Sequence, residues 1–310
     1  MAKIVTEFSV QERSKDLDCM RNQKTLNGGE TTMMTTSPAA NYTAMSFRDI
    51  ATSYNKINAI PEKAALQIGK VVAHIVGKHS SILDLGAGAG RITIPIAVAG
   101  CAVTALDCEP KMLEELRRQI EEFSLNIKTV VGDATKLPFA DQTFDAVFTS
   151  NLLHLVPEWE KAIDEAIRVM KFGGVFIQGR DWVAPESCFA RLRNKLRENV
   201  AALEPNLKPT AAAGPALFQA LEKRGGKNEP EIIAARWTIS TSPAQVLAQM
   251  EARTFNETWQ LEEGLLREAL GRTRGWAREQ WHNLTREETV EFRFLIYLTR
   301  ALKRKQNEES

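Results

Sequence analysis

The sequence predicts an α/β fold built on a doubly wound, mostly parallel sheet. Short apolar runs alternate with amphipathic helical patterns over residues 81–177, and this alternation is typical of repeated strand–helix–strand units. The runs are apolar on both faces, which predicts helices on both sides of the sheet. The first run, Ser81 to Leu85, is followed by Gly86, Gly88 and Gly90. A strand that turns through glycine into a helix is typical of a nucleotide-type site.

The chain before this sheet divides into two parts. Residues 1–41 are polar, contain glycine and show no hydrophobic period, which predicts a disordered N-terminal tail. Apolar residues at helical spacing begin near Tyr42. Residues 42–79 are therefore expected to form N-terminal cap helices, with a break at Pro61.

Residues 80–180 form the predicted core, in which strands and helices alternate. Each strand is a short apolar or β-branched run, and each helix carries apolar residues three and four positions apart. Pro110 opens the second helix, where the fixed φ of proline suits a helix start. The predicted strands are 81–85, 102–106, 127–131, 144–149 and 175–177, and the predicted helices are 92–98, 110–123 and 159–170.

The pattern becomes mainly helical after Arg180. Residues 181–288 are expected to form a substrate-cap insertion that contributes one sheet strand, residues 232–239. A closing strand of the sheet is expected within residues 289–302, and residues 303–310 form a charged tail. An insertion of this length beside a ligand crevice is expected to shield it from water.

Composition excludes several functional classes. Hydrophobic residues make up 44% and charged residues 25%, as in ordinary globular proteins, and the net charge of +1 gives no overall attraction to nucleic acid or anionic membranes. The four cysteines lack C-x-x-C spacing, which indicates neither a disulfide framework nor a metal site. No apolar run approaches 18 residues and the N-terminus lacks a secretory pattern. A cytoplasmic protein without a membrane span is expected.

The glycine loop itself leaves the type of nucleotide open. A dinucleotide fingerprint needs a glycine three positions after Gly88, where this chain has Arg91. Asp107 ends the second strand 21 residues after Gly86, close to the usual distance for a carboxylate that accepts hydrogen bonds from both ribose hydroxyls. No Lys or Arg precedes Arg91 in the loop to meet a pyrophosphate. The loop therefore favours a nucleoside that carries a cation, and a purely structural turn is the alternative.

Polar residues also follow the third and fourth strands. Asp133 comes after the third strand, and Ser150 ends the fourth. Because the carboxyl ends of parallel strands meet at one edge of the sheet, Gly86, Asp107, Asp133 and Ser150 are expected to share one crevice. The alternative for each aspartate is a solvated carboxylate in a turn.

Taken in order, these motifs resemble a class I S-adenosylmethionine-dependent methyltransferase. The nearest branch is the small-molecule one that includes quinone methyltransferases, and the match covers about residues 80–180. The resemblance implies a Rossmann-like, doubly wound, mostly parallel seven-stranded sheet with an antiparallel last strand, plus a helical cap. The motifs are L-D-L-G-A-G-A-G at 83–90, the acidic end of strand two at 107, G-D-A at 132–134 followed by L-P-F, F-D-A-V-F at 144–148 and M-K-F-G-G at 170–174.

The resemblance also implies S-adenosyl-L-methionine as cofactor, a set of residues that bind it, and no metal. Gly86, Ala87 and Gly88 would face the methionine part, with Asp84 near its ammonium group, and Asp107 would take the ribose. The rest of the set is Asp133 at the adenine amino group with Ala134 beside it, Cys108 and Met112 flanking the adenine ring, Ser150, Asn151 and Leu152 under the sulfonium, and Gly132 and Arg91 in the two turns.

Candidates for the acceptor side lie outside the glycine loop. His154 is the tentative catalytic residue, a general base for a protonated acceptor, or else it caps a turn or contacts the cofactor. Arg180 either binds an acidic substrate or forms a salt bridge with Asp181 or another neighbour, and Trp182 is expected at the edge of the same pocket. Tyr54 either closes over the sulfonium through ring–cation attraction or packs within its helix.

The acceptor pocket is expected to be mostly apolar and to lie beside Leu152, His154 and Arg180. Most tryptophans of the insertion are expected in its core, with two or three lining an acceptor site. Methyltransferases that act on exocyclic base nitrogens typically carry a polar-Pro-Pro-aromatic tetrad after the fourth strand, whereas residues 150–153 read S-N-L-L. Nucleic acid is therefore not an expected partner.

The predicted function is methyl transfer from S-adenosylmethionine to a small-molecule acceptor by in-line displacement. Two alternatives stay open. One is a nicotinamide-dependent oxidoreductase, and the other is a protein that binds S-adenosylmethionine without transferase activity. The acceptor, the type of atom methylated and the oligomeric state are left open by the sequence.

Overall fold

The structure is a computed structural model that describes residues 59–121, 125–205, 215–259 and 261–302. The predicted tails 1–41 and 303–310 and the predicted helix that contains Tyr54 lie outside the described residues. The strands are β1 (Ser81–Leu85), β2 (Ala102–Asp107), β3 (Ile127–Val131), β4 (Phe144–Ser150), β5 (Met170–Val183), β6 (Lys227–Asn228), β7 (Ile232–Thr241) and β8 (Glu288–Arg300). The α-helices are α1 (Glu62–Val76), α2 (Thr93–Val98), α3 (Pro110–Ile120), α4 (Trp159–Val169), α5 (Cys188–Leu203), α6 (Pro215–Lys223), α7 (Pro243–Glu251), α8 (Asn256–Trp259) and α9 (Glu263–Gln280), and a short 3₁₀-helix spans Leu153–Leu155.

The strands form one mixed sheet in the order β3-β2-β1-β4-β5-β8, with β6 and β7 both paired to β8. The pairs from β3 to β5 are parallel, and β8 runs antiparallel to β5 and to β7. This confirms the predicted fold class. The sheet has eight described strands where seven were predicted. The additional strand is the two-residue β6, and Glu229 and Pro230 separate it from β7. Proline has no N–H to donate to the ladder.

Helices cover both faces of the sheet. On one face, α1 and α2 pack on buried residues that alternate along the strands, such as Ile82, Val103 and Ile177. On the other face, α4 and α6 pack on the strand residues that alternate with that first set, such as Leu83 and Phe176. This alternation of faces is the consequence of the two-residue period of a strand.

Helices α5, α7 and α9 form a separate apolar cluster at the carboxyl edge of the sheet. β4 ends where Ser150 pairs with Gly179, and β5 continues four residues further, to Val183. Val183 and Phe292 of β8, which face each other, both pack against this helical cluster. Helices α5, α7 and α9 therefore lie at the same edge as the glycine loop, whereas α6 of the same predicted insertion packs on a face of the sheet.

No helix among the described residues is long and apolar enough to cross a membrane.

Candidate functional site

The loop after β1 needs its glycines for conformation and for space. Gly86, Gly88 and Gly90 have φ values of +79°, +55° and +86°, a region that residues with a Cβ rarely adopt. A Cβ on Gly90 would lie 2.3 Å from Leu116 Cδ1, and one on Gly86 would lie 2.8–2.9 Å from the side chain of Leu152. The loop therefore approaches α3 on one side and the segment after β4 on the other.

Asp107, at the end of β2, is fixed against this loop by the backbone. One carboxylate oxygen accepts from the N–H of Gly88 at 2.8 Å, and the other accepts from the N–H of Glu109 at 2.9 Å. Burial raises the pKa of Asp107, and the backbone donors from Glu109 and Gly88 oppose that rise. The carboxylate is thus positioned beside the loop before any ligand binds.

Asp84 is a buried carboxyl group next to the same loop. Its oxygen accepts a hydrogen bond from the Thr93 hydroxyl at 2.5 Å. Burial raises the pKa of Asp84 to about 7, the bond from Thr93 opposes this, and the nearby Asp107 raises it further. A cation bound here would find a carboxyl group that is ready to ionise.

A small cavity lies between the glycine loop and the end of β4. Its polar lining includes a hydroxyl without a partner: Ser150 Oγ is buried and makes no hydrogen bond within the described part of the chain. An unpaired buried hydroxyl is costly unless a ligand or water meets it. The cavity is lined by Asp84, Gly86, Ala87, Gly88, Arg91, Ile92, Phe148, Ser150 and Asn151.

The residues predicted for the adenine lie at the adjoining ends of β2 and β3. Gly132 N–H donates to the Asp107 carbonyl at 3.0 Å, which joins the two turns. Asp133 is exposed, and its carboxylate accepts from the N–H of Thr135 at 2.8 Å. Ala134 and Met112 are buried, whereas Cys108 is exposed.

Arg91 connects the glycine loop to the extension of β5. Its guanidinium forms a two-point ion pair with Asp181, at 3.2 and 2.7 Å, and the Asn151 amide also donates to Asp181, at 2.8 Å. Burial alone would raise the pKa of Asp181, but Arg91 and Asn151 hold it below its usual value. Asp181 therefore pairs with Arg91, and not with Arg180 as one reading of the sequence had it.

A larger pocket, of about 140 Å³, lies beside this cavity. Its floor is a row of paired residues on three strands, Thr149 of β4, Gln178 of β5 and Tyr297 of β8. Asn151 lines both the pocket and the cavity, so the two adjoin. The pocket is lined by Thr149, Asn151, Leu152, Leu153, His154, Gln178, Gly179, Arg180, Phe218 and Tyr297.

The structure brings Leu152, His154 and Arg180 together in this pocket, but its lining differs from the expectation. The pocket was expected to be mostly apolar, and six of its ten lining residues carry polar side chains. Trp182 is absent from the lining, and its ring packs under the Arg293 guanidinium at 4.1 Å. No tryptophan lines the pocket either, because Trp276 and others of the insertion pack in the helical cluster instead.

Six lining residues were not predicted as site residues from the sequence: Thr149, Leu153, Gln178, Gly179, Phe218 and Tyr297. The register of β5 against β8 brings Gln178 opposite Tyr297, and no local pattern reveals that pairing. Phe218 reaches the pocket from α6, and its ring meets that of Tyr297 at 5.2 Å between centroids. The sequence offers a signal for Gln178, which directly follows the apolar run 175–177 and continues its strand.

Known proteins match the part of the chain that contains these sites. Residues 82–174 match the model of a methyltransferase domain. The chain is 31% identical over 153 residues to a phosphatidylethanolamine N-methyltransferase of Cereibacter sphaeroides, covering 46% of this chain and 72% of that protein. It is 37% identical over 133 residues to a demethylmenaquinone methyltransferase of Clavibacter sepedonicus, covering 41% and 53%.

The fold has neighbours among solved structures. The YcgJ protein of Bacillus subtilis superimposes with a TM-score of 0.51 at 17% identity, covering 77% of this chain and 99% of that one. Sequence and fold together show that the chain belongs to the class I S-adenosylmethionine-dependent methyltransferase family. The chain spans about half the length of the curated relatives that it matches first, 52% and 53% of two of them.

Proposed function

We propose that this protein binds S-adenosylmethionine at the glycine loop and transfers its methyl group to a small molecule in the adjoining pocket. The observation that carries the proposal is the position of Asp107, whose carboxylate is held against the glycine loop by Gly88 and Glu109. When bound, S-adenosylmethionine supplies an electrophilic methyl group, which passes to the acceptor's nucleophilic atom while the sulfur keeps the electron pair of the broken bond.

The residues around the cavity fit this cofactor. The glycine loop lets a ligand lie against the backbone where a Cβ would intrude. Asp84 offers a buried carboxyl group for an ammonium, and Asp107 accepts hydrogen bonds as a ribose diol requires. Ser150 Oγ, unpaired in the described part of the chain, faces the region proposed for the methionine part. Met112 and Ala134 provide the buried apolar surface proposed for the adenine.

The pocket supplies what the acceptor needs. His154 lines it, and burial lowers the pKa of its imidazole below the usual value, which favours the neutral form that a general base requires. Helices α5, α7 and α9, at the carboxyl edge of the sheet, are proposed to act as the substrate cap. Their role is to limit access of water to the reacting atoms.

The two alternatives make different demands on the same residues. The dinucleotide fingerprint has a third glycine, which lets the helix pack closely on the strand, and this chain has Arg91 at that position. Arg91 pairs with Asp181, so its charge is already engaged and is not directed at a pyrophosphate. A binding protein without transferase activity needs no acceptor pocket, and here a pocket adjoins the cavity. Both observations support the methyltransferase proposal. A cytoplasmic location is proposed with it.

Transfer of label separates turnover from binding. The full chain is incubated with methyl-labelled S-adenosylmethionine and a small-molecule extract, and the expected result is label in a protein-free product. Asp107→Ala is the matched variant, and it should lose most of the labelled product. A folded protein that binds the cofactor but labels nothing in diverse extracts would favour the binding-protein alternative.

A further inference from the structure

We infer, resting on the proposed function, that the pocket takes a single-ring aromatic acid that also carries a hydroxyl group, the chemical class of the hydroxybenzoates. Three features of the pocket carry this inference: its charge, an unpaired acceptor atom, and its size with an aromatic wall. Each excludes a different group of acceptors.

The charge of the pocket favours an anion. Among the described residues that line the pocket, Arg180 is the one charged side chain, and none is Asp or Glu. Two carboxylates near the pocket are engaged, since Asp181 pairs with Arg91 and Glu231 accepts from the Tyr297 hydroxyl. The described lining therefore offers no carboxylate to an amine acceptor, whereas a carboxylate would meet the planar guanidinium of Arg180, which lies beside the Tyr297 hydroxyl.

An unpaired acceptor atom in the floor calls for a donor on the ligand. Gln178 Oε1 is buried and makes no hydrogen bond within the described residues. Leaving such an oxygen unpaired is unfavourable, and a ligand O–H would pair with it. Tyr297 cannot serve it, because its hydroxyl already donates to Glu231.

The spacing of these two groups suits one ring. Gln178 and Arg180 are two residues apart on β5, so their side chains leave the same face of the sheet, about 6.6 Å apart along the strand. A six-membered ring with a hydroxyl at one end and a carboxylate at the other spans a similar length. A cavity of about 150 Å³ holds a benzene ring, and this pocket measures about 140 Å³. Phe218 and Tyr297, in edge contact, supply an aromatic wall for that ring.

Calorimetry on the full chain with S-adenosylhomocysteine present tests the inference, with the three hydroxybenzoate isomers as probes. Benzoate lacks the hydroxyl group, 4-hydroxybenzyl alcohol lacks the carboxylate, and tyramine carries an amine instead. At least one isomer is expected to bind more tightly than all three comparison compounds. Binding by none of the isomers, or tighter binding of tyramine, would overturn the inference.

Two variants assign the contacts. Arg180→Gln should raise the Kd of the hydroxybenzoate about tenfold, the scale of one charge-assisted hydrogen bond. Gln178→Met should abolish the preference for hydroxybenzoate over benzoate without changing the Kd of benzoate. Arg236→Gln, which alters an exposed arginine of β7 that pairs with Glu291, is the control and should change neither. Equal effects of Arg180→Gln and Arg236→Gln would also overturn the inference.

The affinity for S-adenosylhomocysteine, measured in the same variants, separates this inference from the proposed function. It should stay within about threefold of the unsubstituted value in Arg180→Gln and Gln178→Met, which also shows that both variants fold. Normal cofactor binding without hydroxybenzoate binding would overturn the acceptor class alone. Hydroxybenzoate binding without cofactor binding would contradict the proposed function and leave the acceptor class standing.

Discussion

At the scale of single residues, the glycine loop carries the strictest requirements. Gly90 combines a φ of +86° with a neighbour, Leu116 Cδ1, only 2.3 Å from where a Cβ would be. Gly100 has a similarly positive φ, +101°, but nothing lies within 4 Å of its Cβ position. The two positions therefore separate the cost of backbone strain from the cost of crowding.

We expect Gly90→Ala to lower the free energy of unfolding by about 1–3 kcal/mol more than Gly100→Ala does. The two variants share the strain of a positive φ, and overpacking against the buried Leu116 adds the difference. Urea denaturation monitored by circular dichroism measures both. An equal decrease in the free energy of unfolding in the two variants would show that the Leu116 side chain moves away from the new Cβ without an energetic penalty.

The raised pKa of Asp84 predicts a pH-dependent stability. Its pKa is about 7 in the folded protein and about 3.9 in an unfolded chain, so the folded state binds the extra proton. The contribution of Asp84 to stability is therefore complete below pH 4 and is lost as the pH rises through 7.

Asp84→Asn should remove the decrease in stability that the ionisation of Asp84 causes as the pH rises. The free energy of unfolding of the unsubstituted protein should fall between pH 5 and pH 8 more steeply than that of the variant, in urea titrations at each pH. Thr93→Ala is the companion variant, since it keeps the carboxyl group and removes its hydrogen bond. Parallel curves for the unsubstituted protein and Asp84→Asn would contradict the assignment of the raised pKa to Asp84.

At the scale of elements, the turn after β4 links the cavity proposed for the cofactor to the pocket proposed for the acceptor. Asn151 lines both, and Leu152 lies against Gly86. The 3₁₀-helix Leu153–Leu155 then turns His154 into the pocket lining. This short element is where the proposed chemistry depends most on backbone geometry.

His154→Gln should lower kcat by about 10²–10⁴-fold if His154 is the general base, while the affinity for S-adenosylhomocysteine changes little. His74→Gln, on the exposed side of α1, is the matched control. Steady-state kinetics and calorimetry on both variants provide the comparison. A loss of affinity as large as the loss of kcat would assign His154 to cofactor binding instead.

An ion pair joins α8 to the helical cluster. Arg193 of α5 pairs with Glu257 of α8 at 2.5 Å and lies 4.6 Å from the ring centroid of Phe255. Burial alone would raise the pKa of Glu257, but Arg193 and Arg197 hold it below its usual value. This pair joins helices that the sequence pattern treats separately.

Arg193→Ala should lower the free energy of unfolding by about 3 kcal/mol, because it leaves a largely buried carboxylate without its main partner. Arg267→Ala, which removes an exposed pair with Glu263, should change the free energy of unfolding far less, because exposed ion pairs contribute little. Urea denaturation of the two variants tests the contrast. Similar small losses would mean that Glu257 is solvated without Arg193.

At the scale of the whole molecule, the sequence predicts the core better than the site. The strands 81–85 and 127–131 are found at the predicted bounds, because short apolar runs between turns leave few alternatives. The fifth strand is longer than predicted, since β5 begins at Met170 and continues through Gly173 and Gly174. Local patterns read these glycines as the end of a helix, whereas pairing with β4 and β8 extends the strand.

The polarity of the pocket proposed for the acceptor could not be predicted, because its lining comes from strands that are distant in sequence. Gln178 and Tyr297 lie far apart in sequence, and only the register of β5 on β8 joins them. The pairing of Arg91 with Asp181 spans 90 residues in the same way. Motifs identify residues that act near their own turn, while a pocket collects residues from strands whose register is a property of the whole sheet.

We propose that the glycine loop and Asp107 bind S-adenosylmethionine and not a dinucleotide. Calorimetry of the full chain with S-adenosylhomocysteine and with NAD tests it most directly, in the unsubstituted protein and in Asp107→Asn, with Glu109→Gln as the control from the same turn. We expect S-adenosylhomocysteine to bind and NAD not to bind, and Asp107→Asn to weaken binding by about 1.5–3 kcal/mol, the scale of charge-assisted hydrogen bonds. Binding of NAD in preference, or an unchanged affinity in a folded Asp107→Asn variant, would contradict the account.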